Sequence, residues 1–149
     1  MKAFFQTDDS WTGLILRLTL GLVMFPHGAQ KLLGWYGGLG FDGTMGYLTL
    51  TMNIPWLIAF LVVMAEFFGS LGLLVGFLTR FSAASIGVIM LGAITLVHWQ
   101  HGFFMNWFGR QPGEGYEYHL LVLGIGIVLT IVGAGRWSVD QQIAQRIAK

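Results

Sequence analysis

The sequence contains no cysteine in 149 residues, which excludes disulfides, thiol redox chemistry and thiolate metal sites together. Charge is scarce too. Asp, Glu, Lys and Arg make up 10% of the chain, against about a quarter in soluble domains. The formal net charge is +1 with no basic run, so nothing would neutralise a phosphate backbone and no nucleic-acid partner is expected. No haem, flavin or iron–sulfur motif occurs, so any redox role needs a bound carrier such as a quinone and electrons supplied by a partner. The N-terminal stretch MKAFFQTDDSW lacks a short apolar core followed by a small-residue cleavage site. It is read as carrying no removable signal peptide.

What fills the chain is apolar sequence, 55% of it. Four apolar segments stand out, at about 11–33, 55–78, 81–99 and 118–134, each near the roughly 20 residues a helix needs to span hydrocarbon. The expected fold is all-α: one membrane domain over 1–149, built as a four-transmembrane-helix bundle. Thr79 and Arg80 alone separate the second and third segments, which predicts a tight hairpin there. Lys2, Arg17, Arg80, Arg136, Arg146 and Lys149 fall on the side of the termini, and only Lys31 and Arg110 on the other. By the positive-inside rule both termini are then cytoplasmic. Glycines such as Gly69, Gly72 and Gly76 let helices approach closely and leave room for self-association. In the tail, Ser138 with Gln141, and Val139, Ile143 and Ile147 at four-residue spacing, predict a capped, short amphipathic helix on the cytoplasmic surface.

The few ionisable residues inside these segments carry the functional reading, because charge in a membrane is costly and normally has a partner or a task. Glu66 is the only charge between Pro55 and Leu78 and lies about 16 Å along its helix, near the midplane. His27 and Lys31 share a face of the first helix. His98 ends the third, and Glu117 and His119 start the fourth, so most polar groups gather in the outer half of the bundle. Glu66 reads equally as an ion pair to His27 or Lys31 or as a functional carboxylate. Arg17 and Lys31 are expected to snorkel to the headgroups on their respective sides. The aromatic loop from Trp99 to Tyr118, including Trp107, reads as an interfacial anchor or as the wall of a pocket for a flat ring. His98-x-x-His101 straddles a helix end, and no metal site is assigned.

Several stretches in order, taken together, resemble the DoxX family of small four-helix membrane proteins. They are Arg17-Leu18 with Gly21, His27-Gly28-Ala29-Gln30-Lys31-Leu32, Glu66-Phe67-Phe68-Gly69-Ser70-Leu71-Gly72 and Thr79-Arg80. Met90, His98, Gly102-Phe103-Phe104, Glu117-Tyr118 and Gly133-Ala134-Gly135-Arg136-Trp137-Ser138-Val139-Asp140 complete the set. The resemblance implies a multi-pass protein of the bacterial or archaeal plasma membrane, linked to oxidoreductase systems that include a DoxD-type subunit of a thiosulfate:quinone oxidoreductase. It also implies membrane partnership with thiol or oxidative-stress enzymes. The absence of cysteine sets this chain apart from thiol–disulfide roles.

Two functions follow. In the first, the chain is a quinone-linked redox component, in which Glu66, His27 and His98 relay protons while Lys31, Glu117, His119 and Trp107 hold the ring. In the second, it is a non-enzymatic scaffold or assembly factor for a soluble or membrane redox enzyme, and the polar cluster is bundle glue. Transport of a small solute or lipid through the same lining is a third reading.

Overall fold

The computed structural model describes residues 2–147. Lys149 and the side chain of Lys2, both counted above on the side of the termini, lie outside the described residues. Every regular element among them is helical: α1 (Lys2–Phe5), α2 (Trp11–Leu33), α3 (Gly40–Gly46), α4 (Trp56–Val75), α5 (Thr79–Ala93), α6 (Glu117–Val132) and α7 (Val139–Ile147). A π-helical turn at Tyr47–Thr51 continues α3, and another at Ile94–His98, followed by a 3₁₀ turn at Trp99–His101, continues α5.

Three helices are long and apolar enough to cross a membrane: Trp11–Leu33, Trp56–Val75 and the continuous run Thr79–His101. α6 is apolar but has 16 residues, about 24 Å at 1.5 Å per residue. The helices α2, α4, α5 and α6 pack in sequence, α2 on α4, α4 on α5 and α5 on α6. Their shared core holds Leu20, Met24, Leu73, Ile86, Met90, Val122 and Leu129. A second cluster, Met45, Leu48, Ala59 and Val63, docks α3 and its π turn against α4. That docking explains a helix which the glycine-rich sequence conceals: burial of Met45 and Leu48 outweighs the poor propensity of Gly40, Gly43 and Gly46.

The tightest helix contact is α2 on α4. A Cβ at Gly28 would lie 2.6 Å from Phe67 Cα and 2.7 Å from Phe67 N, so backbone meets backbone and neither side can yield without a helix moving. Gly28→Ala is therefore expected to cost about 1–3 kcal/mol, the range for overpacking. A melting temperature in detergent equal to the parent's would show that the helices do not approach this closely.

The hairpin turn falls earlier than the sequence indicated. Thr79 and Arg80 are the first residues of α5, and the turn is Gly76–Leu78, with Gly76 at φ +71° and Leu78 at φ +49°. No local side chain caps α5. Instead the buried Asp140 carboxylate accepts the Leu78 and Thr79 N–H groups at 2.8 and 2.9 Å, and Asp140 N donates to Gly76 O at 2.9 Å. Gly76 is required here for space as well as for its φ, since a Cβ would come 2.4 Å from that of Ser138. The tail helix α7 is thus fixed to the bundle at its start. Ser138 Oγ caps Gln141 N at 3.2 Å, as expected, while Gln141 reaches back to Trp137 N rather than to Ser138 N.

Arg17 corrects a second expectation. It does not snorkel; it is 2% exposed. Its guanidinium donates to the carbonyls of Ala134, Leu73, Leu74, Arg136 and Trp137 at 2.6–3.4 Å. Helix ends leave carbonyls without intrahelical donors, and the rigid fork of arginine satisfies several at once. Nearby, Arg80 donates to Gln6 O and Thr130 O. Arg136 pairs with Asp9 at 2.8 Å and lies over the Trp11 ring at 4.6 Å. Hydrogen bonds from Arg136 and Gln141 hold the Asp9 carboxyl below its ordinary range. These bonds gather residues 6–9, residues 134–141 and the 76–78 turn at one end of the bundle, the proximal end.

Candidate functional site

At the opposite, distal end the bundle encloses a cavity of about 270 Å³. Each wall has a local cause. On α2, Met24, His27 and Lys31 are spaced three and four residues apart and so share one face. On α4 the wall is Glu66, ten residues into the helix and 3% exposed. On α5, Met90 and Ala93 are followed on the same face by His98. In an uninterrupted α-helix Val97 would hold that place, but the wider π turn Ile94–His98 delays the rotation and brings in the imidazole instead. Such turns recur at functional sites. Tyr118 and His119 of α6 complete the wall, and Met105 and Glu114 of the α5–α6 loop form the roof.

Lys31 Nζ and Glu66 Oε2 are 2.5 Å apart. The expected snorkelling of Lys31 is therefore replaced by an ion pair, which ties α2 to α4. The rings of His98 and His119 lie 4.1 Å apart between centroids, and His98 Nδ1 meets Glu114 O at 2.8 Å. With Nδ1 committed, His98 has only Nε2 for another partner. The Tyr118 hydroxyl and His119 Nδ1 are buried with no partner among the described residues. Unpaired buried polar atoms are rare and costly, and here two sit side by side in the sequence on one cavity wall.

Five residues singled out from the sequence, His27, Lys31, Glu66, His98 and His119, thus meet in one cavity. Two others do not reach it. Glu117 turns back on the loop, where its carboxylate accepts Met105 N at 3.0 Å and Trp107 Nε1 at 3.3 Å, and Trp107 is 80% exposed. Their part is to stitch the roof, along with Asn106 N to Glu114 Oε2 at 2.7 Å and Glu117 N to Phe103 O at 2.9 Å. Tyr118 closes the aromatic loop read as a possible pocket wall, whereas nothing in the sequence reading places Met24, Met90, Met105 or Glu114 in the lining. Met24 could have been placed there, by its spacing to His27 and Lys31, but nothing local marks Glu114. No group of three or more His, Asp or Glu among the described residues is arranged to hold a metal. A larger apolar groove of about 650 Å³ between α4 and α5 has no ionisable side chain in its lining.

The fold and the site define a helical membrane protein with a polar cavity at one end of its bundle. The DoxX family model matches residues 12–99, more than half of the chain and four of the five cavity residues foreseen from sequence, and the chain belongs to the DoxX family. It is similar to "Putative oxidoreductase CatD" of Bacillus subtilis, 27% identical over 78% of this chain and 77% of that one. It is also similar to two Escherichia coli proteins. "Inner membrane protein YqjF" is 30% identical over 76% of this chain and 82% of its own length. "Inner membrane protein YphA" is 28% identical over 87% and 88%. No solved structure matches the chain.

Proposed function

We propose that this protein is the membrane-embedded component of a redox system and that its distal cavity binds a quinone or a similar flat, oxygen-bearing ring. In this reading α6 is the fourth crossing, the termini are cytoplasmic and the cavity lies in the outer half of the plasma membrane. The observation that carries it is the pair of unpartnered buried groups, Tyr118 Oη and His119 Nδ1, in a cavity that also holds the Lys31–Glu66 pair. A ring bearing oxygens satisfies such atoms, whereas a purely apolar ligand leaves them unpaired. The oxidoreductase name carried by CatD and the membrane names of the Escherichia coli relatives agree with the class.

The residues fit the ring. Tyr118 Oη donates to a ring oxygen, and His119 Nδ1 donates or accepts according to its tautomer. Met24 and Met90 supply polarisable apolar walls. The stitched roof limits water. A quinone, when bound, contributes two-electron, two-proton chemistry. This chain contributes the proton-carrying groups that line the cavity, the imidazoles of His27, His98 and His119 and the Lys31 Nζ–Glu66 Oε2 bond. Electrons come from a partner enzyme.

The test is titration of the purified protein with a decyl-tailed benzoquinone in mild detergent. His119→Ala is expected to weaken binding at least about tenfold, the equivalent of one hydrogen bond of roughly 1.4 kcal/mol. Absence of bound or titratable quinone in the parent protein would refute the reading. The exposed tip of the roof, Trp107 and Phe108 at 80% and 83%, favours a second reading in which this surface seats a partner redox enzyme. Co-purification lost on Trp107→Ala, with quinone binding intact, would select it.

A further inference from the structure

We propose that the ligand enters the cavity sideways from the lipid, through a slit beside α2, and is therefore a neutral amphiphile with an apolar tail. This rests on the reading above that the cavity holds a ring, and it adds how the ring arrives and what else it carries. Consider where the cavity is closed. Its proximal floor is the packed cluster around Leu20, Leu73 and Val122. Its roof is stitched, with Tyr116 N on Gly102 O, Glu117 N on Phe103 O and the Glu117 carboxylate on Met105 N. The deep parts of the α4, α5 and α6 walls are buried, with Glu66, Met90 and His119 at 3%, 6% and 8% exposure, while Ala93, His98 and Tyr118 nearer the rim are half-buried.

The α2 wall is buried at its floor, where Met24 is 2% exposed, and opens above it. His27 is exposed although it sits well inside a helix long and apolar enough to cross the membrane, and the Lys31 side chain is 31% exposed. Glu114, above them on the loop, is exposed as well. α6 packs more on α5 than on α2, and the lining runs from His27 and Lys31 of α2 to Tyr118 and His119 at the start of α6, which is where the proposed slit falls. Lys31 lies one turn nearer the distal end than His27, about 6 Å, so this polar rim descends from the interface toward hydrocarbon. Polar groups exposed along a span are costly and normally face a cavity or a pathway. A rim that crosses the interface suits a molecule with a polar head and an apolar tail. Charge selects a neutral one: the Lys31 ammonium is committed to Glu66, and the Glu114 carboxylate accepts Asn106 N.

The absence of cysteine permits a clean test. A bimane label on His27→Cys in vesicles should be quenched by lipids carrying a nitroxide on the acyl chain, to at least half the extent seen at the lipid-facing control Leu22→Cys. A water-soluble nitroxide should have little effect. Quenching by the aqueous reagent alone would overturn the lateral route. A second measurement uses the unaltered protein, photolabelled with a neutral monoacylglycerol that bears a diazirine beside its head. Adducts on Met90 inside the cavity are expected, and adducts confined to outward residues such as Leu22 and Leu121 would refute entry. Neither readout involves a quinone, so failure of the route and failure of the quinone reading are separately visible.

Discussion

Replacing Arg17 with methionine should unfold the proximal end of the bundle and lower stability by about 3–5 kcal/mol. The chain length and apolar character survive, so the loss isolates the guanidinium. Arg17 is buried and donates to carbonyls from three places in the sequence: the end of α4, Ala134, and the Arg136–Trp137 turn. Without it those carbonyls face an apolar interior, and each unsatisfied group costs roughly 1–3 kcal/mol. Some relief comes from bonds already present, such as Gly76 N to Leu73 O, which is why the total stays below the sum. Arg17→Lys should recover little. An ammonium offers three donors at one point and cannot span carbonyls that the planar fork reaches on several sides. Thermal unfolding in detergent measures the loss, and limited proteolysis near residues 134–137 should show the tail released first. A snorkelling arginine would predict the opposite pattern: Arg17→Lys neutral and Arg17→Met within about 1 kcal/mol of the parent, as at exposed sites.

The contrast between Arg17 and Glu66 shows what the sequence makes legible. The long helices were readable because hydropathy and length dictate a membrane span with little help from tertiary contacts. Glu66 was readable for the same reason, as a charge with no place in lipid, and Lys31 was one of two partners within reach on α2. Arg17 was misread because its burial depends on carbonyls from residues 73, 74 and 134–137 converging on it, and no local pattern encodes that. The turn at Gly76–Leu78 was misplaced by a similar cause: the cap that starts α5 is Asp140, 61 residues away. From the sequence, Glu117 belongs to the cavity by its place beside His119 at the start of the fourth segment, and Trp107 as part of the aromatic loop. The carboxylate instead turns to the nearest unpaired donors, the loop's Met105 N and the indole of Trp107. His98 reached the cavity only through a π turn, which hydropathy does not reveal. The order of polar groups along the chain was therefore informative, while their pairing was a property of the fold.

Disrupting the Lys31–Glu66 pair from either side should be costly, but unequally. Lys31→Met strands a carboxylate that is 3% exposed and should cost about 3–5 kcal/mol, the range for a buried charge left uncompensated. Glu66→Gln should cost less, because the amide oxygen still accepts from Lys31 Nζ, and the lysine side chain, 31% exposed, can turn toward the interface. The double variant Lys31→Met/Glu66→Met removes both charges and leaves two flexible apolar side chains. It should regain most of the stability lost in Lys31→Met, since replacing a buried pair by apolar residues of similar volume is often neutral. That recovery separates the two meanings of the pair. If the pair only holds α2 to α4, ring binding returns along with stability. If, as proposed, it serves the cavity, the double variant folds well and still binds the decyl-tailed quinone at least about tenfold more weakly, a deficit of roughly 1.4 kcal/mol. The double-mutant cycle gives the coupling directly. A double variant no more stable than Lys31→Met alone would show that the two residues are not energetically paired, and the geometry at 2.5 Å would then carry no functional weight.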